Sequence, residues 1–515
     1  MDTIGPNPTT RNRAAIATAA ILLLAVCTWP LAGGMIAAND DLKFVRGDAA
    51  DGPLWDRIVL AWRTNSNFRP LEVAVGAWCD PLMLACGWAV AVQVAGLAAL
   101  GVAAWRLARR AVPGFPVAAP LLLAWIALSP ATTVSMWQMD TCSQTWAAAL
   151  AAWAGLAAWD VFDAAAEGRT AWGRIALLAA LFIAGCTVKE IFYGWSFGIG
   201  LACGAALVAT WRRSRVQAKS AAWVLLPVVV LPVVHLAVRW KTSALGGVAS
   251  GTGGGARYKV EVGENLVMNA VLSIGGLLAG GPLHLIADDQ APLPLRALPF
   301  LGLLAAVCVA GAALGFLAYH RRSAPGIRWR AVFLCAFAGL ASLAITLPMG
   351  SVSDLYGFGA NVGSGLLLAA CAASLWNPVA PDERMLGRGI AATMVAGIAL
   401  VGAYGLASRA YQFRVTWRMT AMANDAMLAV QDALPADAAR PPVGVRFAED
   451  CYARSFYGQV MVSPIQSIDL EDTIAWMNRR DPARRIAWGP DAPLPREGDP
   501  RPVIDCAGFP VREHR

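Results

Sequence analysis

The stretch Ile175–Arg239 reads IALLAALFIAGCTV, then Lys189-Glu190, then IFYGWSFGIGLACGAALVATW, then a loop holding Arg212, Arg213, Arg215 and Lys219, then AAWVLLPVVVLPVVHLAV and Arg239. Three apolar runs, Ile175–Val188, Tyr193–Trp211 and Ala221–Val238, are thus parted first by an adjacent ion pair and then by a basic loop. Crossing a hydrocarbon core takes about 20 apolar residues. Basic residues in every second gap are the mark of a chain that threads a bilayer back and forth.

The pattern continues on both sides. Upstream lie Ala14–Ala38, Trp78–Ala104, Pro116–Trp137 and Cys142–Val161; downstream lie Leu295–Tyr319, Ala331–Met349, Gly363–Leu375 and Ile390–Ala407. Together these predict about eleven transmembrane helices. Composition agrees. Of 515 residues, 57% are apolar and 15% charged, against roughly 25% charged in soluble chains, and the mean hydropathy is +0.52. A disordered chain, a disulfide scaffold, a coiled coil and a single soluble domain are excluded. The 21 Trp and 49 Gly suit interfacial anchors and membrane helices. The net charge of +8 sits largely in short loops, with no basic stripe for nucleic acid.

Arg11 and Arg13, then Arg106, Arg109 and Arg110, then Arg212 to Lys219, then Arg321, Arg322, Arg328 and Arg330 mark one side of the membrane. The positive-inside rule makes that side, and the N-terminus, cytoplasmic. The first run is too long for a signal-peptide core and reads as an uncleaved span. The segment Asn265–Ile286, with Gly275-Gly276 and Gly280-Gly281-Pro282, reads as an amphipathic helix in the outer interface. An abundance of Ala, Gly and Arg points to a GC-rich bacterial genome and a bacterial inner (plasma) membrane.

From about Ser408 the composition changes. Val443–Phe447, Arg485–Trp488 and Val503–Cys506 have strand patterns, and Leu470–Asn478 a helical one. The expected organisation is a transmembrane domain over residues 1–407 and a small extracytoplasmic α/β domain over 408–515. Most of the 11 Cys lie within apolar runs as small fillers. Cys451 and Cys506 lie in the outer tail, where an oxidising compartment favours a disulfide. Zinc spacing, a Walker A motif and a GxGxxG element after a strand are all missing.

Charges at membrane depth are costly and ask for a reason. They gather at the outer ends of the runs: Asp40 and Asp41 after the first, Arg69 before the second, Asp140 before the fourth, Lys189 and Glu190 between the fifth and sixth, Arg239 at the end of the seventh, Arg257 in the loop beyond it, and Asp354 and Tyr356 after the ninth. Each has an ordinary explanation alone: a solvated loop, a neutral ion pair, a snorkelling arginine, a helix cap. Together they form a cluster suited to an anionic, lipid-linked substrate. Arg and Lys would neutralise a phosphate, and a carboxylate would take the proton of an acceptor hydroxyl.

The order of these elements resembles the GT-C superfamily of integral-membrane glycosyltransferases, which includes protein O-mannosyltransferases, aminoarabinose transferases and TPR-carrying transmembrane O-mannosyltransferases. Asn39-Asp40-Asp41 is similar to the acidic pair of the family's first outer loop, and Phe68-Arg69-Pro70-Leu71 to its aromatic-Arg-Pro-Leu element. Ser129-Pro130 with Trp137 and Asp140 looks like its His-Pro…Trp…Asp stretch, with Ser for His. Val188-Lys189-Glu190 looks like its Ser-Lys-Glu element, and Val238-Arg239 with Leu245-Gly246-Gly247 like the close of its seventh span. The resemblance fades after about Ile286, and no TPR array follows.

The resemblance implies a GT-C-like fold and transfer of a sugar from a polyprenyl-phosphate donor to an acceptor on the outer face. By position, Asp40 or Asp41 would act as base or orient the acceptor, and Asp140 would be a second acid near the sugar. Arg69, Lys189 and Arg239 would bind the donor phosphate, with Glu190 fixing Lys189, and Arg257 and Tyr356 stand with the donor-binding set. The family is divided on a divalent cation. Asp40, Asp41 and Asp140 could hold one, or cationic side chains could replace it. The alternative reading is a transporter or flippase of lipid-linked sugar. It ranks second because the charges lie at the outer ends of the spans and no repeated halves are evident.

Overall fold

The structure is a computed structural model. It describes residues 88–129, 142–189, 191–245, 326–345, 357–376 and 384–412, with short pieces of 263–273 and 427–504 and a few single positions elsewhere. Among the described residues the membrane part is all helical: α1 (Trp88–Ala111), α2 (Ala118–Leu128), α3 (Cys142–Ala166), α4 (Trp172–Val188), α5 (Ile191–Thr210), α6 (Arg215–Leu245), α7 (Trp329–Ala341) with a 3-10 turn over Ser342–Ile345, α8 (Phe358–Trp376) and α9 (Arg384–Gln412). Nine of the eleven apolar runs therefore meet a helix. Ala14–Ala38, apart from Ala17, and Leu295–Tyr319 lie outside the described residues. Among the described residues, five helices contain segments long and apolar enough to cross a membrane: Ala91–Ala111, Ser143–Ala166, Ile191–Thr210, Arg215–Val238 and Gly359–Trp376.

Several boundaries differ from those expected. Helix α1 runs seven residues past Ala104, so Arg106, Arg109 and Arg110 occupy its last turns rather than a loop. Trp105, Leu107, Ala108 and Ala111 keep one face packed there, while Arg106, Arg109 and Arg110 lie over the rings of Trp153, Trp105 and Trp159. Helix α3 likewise continues past Val161 to Ala166 and carries Asp160 and Asp163. The short run Ile175–Val188 gains a turn and spans Trp172–Val188. In the other direction, α2 stops at Leu128, just before Ser129-Pro130, as the residue preceding a proline disfavours helix.

The helices alternate in direction. Trp146 Nε1 donates to the Val92 carbonyl at 3.2 Å and Trp153 Nε1 to that of Ala99 at 3.1 Å. The constant offset means that α1 and α3 run parallel, with α2 between them in sequence running back. One end of the bundle then carries Arg106, Arg109 and Arg110, the loop with Arg212 and Arg213, and Arg328 before α7. The opposite end carries the start of α1, the end of α2, the start of α3 and the α4–α5 turn.

The core is built from Leu97, Leu100, Leu107, Leu122, Ile126, Phe182, Phe192 and Trp195, all nearly fully buried. On the outside, α6 exposes Leu226, Val229, Val230, Val233, Val234 and Leu236, and α7 exposes Phe333, Phe337 and Leu340. Such bands are far beyond the scattered apolar residues of a soluble surface and suit lipid contact. Helix α6 also contains Pro227 and Pro232. Pro232 has no N–H for the carbonyl four residues back, at Val228. The Ser196 hydroxyl of α5 donates to that carbonyl instead. Ser196→Ala should strand it at a cost of about 1–2 kcal/mol, read as a lower midpoint of thermal unfolding in detergent. An unchanged midpoint would mean the carbonyl finds another donor.

In the tail, residues 427–433 are helical. Strands β1 (Val443–Gly444) and β2 (Arg446–Phe447) pair in parallel with β5 (Ile486–Ala487) and β6 (Val503–Ile504), while β3 (Ser455–Tyr457) and β4 (Val460–Val462) form an antiparallel pair. Residues 474, 477 and 478 are helical. Gln431, buried, donates to the carbonyls of Met477 at 3.0 Å and Arg484 at 2.7 Å. Arg484 also donates to Asp481 at 2.9 Å and holds its carboxyl below the usual carboxylate range. That contribution is present above the unfolded Asp pKa and is lost as the pH falls through the lowered value.

Candidate functional site

The end of the bundle opposite the arginines is polar inside. Gln93 in the second turn of α1, Ser129 and Thr132 after α2, Ser143, Gln144 and Thr145 at the start of α3, Lys189 between α4 and α5, His235 in the outer part of α6, Ser342 after α7 and Asn361 in the first turn of α8 are all buried. By contrast, the arginine end buries Ser220 and Ser374. A buried polar group costs free energy unless it is paired. Thr132 Oγ1, Gln144 Oε1 and Thr145 Oγ1 have no partner among the described residues.

Lys189 is the charged member of this layer. Its backbone is extended, with φ −156° and ψ 144°, and it ends α4. Its N–H donates to the Gly185 carbonyl at 3.2 Å, and its carbonyl accepts from the Phe192 N–H at 3.1 Å. The hairpin closes tightly because Gly185 has no side chain: a Cβ there would collide with the Phe192 ring. Phe192 in turn stacks edge-on to Phe182, with centroids 5.0 Å apart. Two packed aromatics and a glycine thus close the turn in which Lys189 is 8% exposed.

The neighbouring helix is tied to the same turn. Tyr193, four residues after Lys189, hydrogen-bonds His235 Nδ1 of α6. Arg239 lies one helical turn beyond His235, so α4, α5 and α6 bring the positions of Lys189 and Arg239 to one end of the bundle. On the facing side, Asn361 of α8 donates to the Ser129 hydroxyl, and Trp125 Nε1 donates to Ser364 Oγ at 3.2 Å. Ser129 is the residue that stands where the resembled motif has His, and it fastens α2 to α8. Asn269 also reaches this end: it is buried and donates to the Leu347 carbonyl at 2.9 Å.

Among the solved structures that resemble the chain are two of an archaeal protein. One is archaeal oligosaccharyltransferase AglB from Archaeoglobus fulgidus in complex with an inhibitory peptide and a dolichol-phosphate, at 11% identity and a TM-score of 0.43, covering 94% of this chain and 65% of that one. The other is the Archaeoglobus fulgidus oligosaccharyltransferase tethered by a disulfide to an acceptor peptide containing the NVT sequon, at 12% identity and a TM-score of 0.44, covering 93% and 64%. The chain thus spans 64–65% of the length of these two proteins. No protein family and no curated protein matches its sequence.

The other residues singled out from the sequence (Asp40, Asp41, Arg69, Asp140, Glu190, Arg257, Tyr356, Cys451 and Cys506) lie outside the described residues. Among the described residues no three His, Cys, Asp or Glu side chains are grouped to hold a metal ion. Cys186, Cys203, Cys335 and Cys371 are free and buried, as fillers should be. What a search for charges alone misses is the uncharged layer of Gln93, Gln144, Thr145 and Asn361. A signal was present for part of it: Gln93 and Gln144 are amides inside the apolar runs Trp78–Ala104 and Cys142–Val161.

Proposed function

We propose that the chain is a GT-C-like integral-membrane glycosyltransferase that moves a sugar from a polyprenyl-phosphate donor to an acceptor at the end of the bundle lined by Lys189. The observation that carries this reading is a buried lysine, in extended backbone at the end of α4, within a layer of buried amides and hydroxyls. The order of the sequence motifs supports it further. A polyprenyl tail needs lipid contact along its length while its phosphate needs cations and donors, and a polar layer at one end of an apolar bundle meets both needs.

In the reaction, the acceptor hydroxyl oxygen attacks the sugar's anomeric carbon. The bond from that carbon to the phosphate oxygen breaks, and its electron pair stays on the phosphate. The acceptor proton passes to a carboxylate, Asp40 or Asp41, with Asp140 near the sugar. The donor phosphate, singly charged as a diester, leaves as a monoester with a second charge. Arg69, Lys189 and Arg239 are the cations that would meet that charge. With the arginine end on the cytoplasmic side by the positive-inside rule, this polar end would face the outer side, of a bacterial inner membrane if the Ala-, Gly- and Arg-rich composition is the guide.

The test uses the Asp40→Asn, Asp41→Asn double variant in membranes supplied with polyprenyl-phosphate sugar. It should insert normally and release no free polyprenyl phosphate, whereas wild type should release it in step with glycosylated acceptor. Wild-type turnover by the double variant would remove those acids from the chemistry. Movement of intact sugar lipid across the membrane, with no release of polyprenyl phosphate, would favour the flippase instead.

A further inference from the structure

At the arginine end, α1, α3 and α4 enclose a cleft of about 240 Å³. Its polar wall holds Arg106, Arg110, Arg174 and Asp160, and its apolar wall Trp153, Leu156 and Leu177. Arg110 pairs with Asp160 and, at 2.6 Å, with Asp163; Arg174 reaches Asp160 at 3.2 Å, and Arg328 reaches Asp163 at 3.4 Å. Two carboxylates therefore serve three guanidinium groups. Arg106 adds a fourth: it lies over the Trp153 ring, 5.0 Å from the centroid, and no carboxylate among the described residues pairs with it. Among the described residues the cleft keeps an excess of positive charge.

The cleft also runs from polar to apolar. Trp153 lies seven residues deeper along α3 than Asp160, about 10 Å towards the bilayer centre. Leu177 is exposed on the outer face of α4, as is Ile183 further along the same helix. A ligand seated here would have an anion at the guanidinium end and a hydrocarbon portion against Leu177 and the lipid-facing side of α4. Basic pockets between membrane helices on the cytoplasmic side suit anionic lipid head groups.

We infer that this cleft binds the phosphate head group of an anionic phospholipid, with an acyl chain laid along α4. The site lies at the end opposite the polar layer and is independent of the transfer chemistry. Arg106 and Arg174 face the phosphate, while Arg110, fixed between Asp160 and Asp163, shapes the wall behind it.

The full-length chain in detergent, given phosphatidylglycerol or phosphatidylcholine and weighed by native mass spectrometry, tests this. Wild type should retain phosphatidylglycerol in preference to phosphatidylcholine. Arg106→Gln should reduce the retained phosphatidylglycerol roughly fivefold, and Arg106→Gln with Arg174→Gln roughly 30-fold. Arg212→Gln, an arginine at the same end but outside the cleft, should retain the lipid as wild type does. Arg106 makes no ion pair among the described residues, so the single variant keeps the test readable if loss of the Arg174–Asp160 pair unfolds the double one. Equal retention of both lipids, full retention by Arg106→Gln, or an equal loss in Arg212→Gln would overturn the proposal. Displacement of the lipid by inorganic phosphate alone would reassign the cleft to a free anion and overturn it as well.

Discussion

Replacing Lys189 by Gln should leave a folded, inserted protein whose sugar transfer falls roughly 100-fold or more. The reasoning starts from the turn. Both backbone hydrogen bonds of Lys189, to the Gly185 carbonyl and from the Phe192 N–H, are independent of its side chain. Gln is close to Lys in length and keeps a donor, so the hairpin survives. What is lost is the charge of a buried residue, and electrostatic interactions away from water are stronger than in it. The donor phosphate gains a second negative charge as the sugar leaves, so a fixed cation stabilises the transition state more than the bound donor. The loss should therefore appear mainly in kcat and less in KM. Steady-state transfer by reconstituted protein measures the split, and circular dichroism checks the fold. Wild-type kcat would take Lys189 out of the site.

The sequence announces most helices because an apolar run long enough to cross a bilayer has few other fates. Even the short runs Ile175–Val188 and Gly363–Leu375 are helices, lengthened at their ends to Trp172–Val188 and Phe358–Trp376. Ends are harder to place from hydropathy. Arg106, Arg109 and Arg110 look like loop residues, yet they continue α1 because an arginine can pair with Asp160 and Asp163 or lie over Trp105, Trp153 and Trp159 without leaving the helix. The acids of that cluster sit 50 or more residues away, a distance no local pattern bridges. Lys189-Glu190 was legible as an interruption of apolar sequence, and Lys189 does form the turn. The buried amides escape a reading based on charge, because Gln93 and Asn361 carry none; only the bundle's alternating directions bring them to the same end. Nor does hydropathy reveal that Ser196 completes the helix broken by Pro232, since that depends on which helix lies beside it.

The largest effect on folding is expected from Gly198→Leu. In α5, Gly194 and Gly198 are one turn apart and face α7: a Cβ at Gly198 would overlap the Cα of Ala338, and one at Gly194 the backbone of Ala341 and Ser342. Helix α8 repeats the arrangement, with Gly359 against Ser342 and Gly363 against the carbonyl of Cys335. Between them, a Cβ added at Gly339 of α7 would lie 3.1 Å from the Gly359 carbonyl oxygen and 3.3 Å from the Gly363 Cα, tighter than ordinary packing. Three helices therefore meet backbone to backbone, as small residues permit in membranes, where packing rather than the hydrophobic effect holds helices together. A leucine at 198 meets a backbone that cannot swing aside like a side-chain tip, so α5 and α7 must separate. Overpacking costs about 1–3 kcal/mol where side chains can adjust, and here the cost should exceed that range. Separation would also disturb Trp195 and Ser196, and with them the Ser196 bond to α6. The expected readout is loss of monodisperse protein on size exclusion in detergent, or a large fall in thermal midpoint. Gly155→Ala in α3 is the control: its Cβ would meet no atom within 4 Å, and removing a mid-helix glycine should stabilise by about 0.5–1 kcal/mol. A Gly198→Leu protein as stable as wild type would mean that α5 and α7 do not pack through these residues. The polar end built on that contact, Lys189 included, would then need a different arrangement.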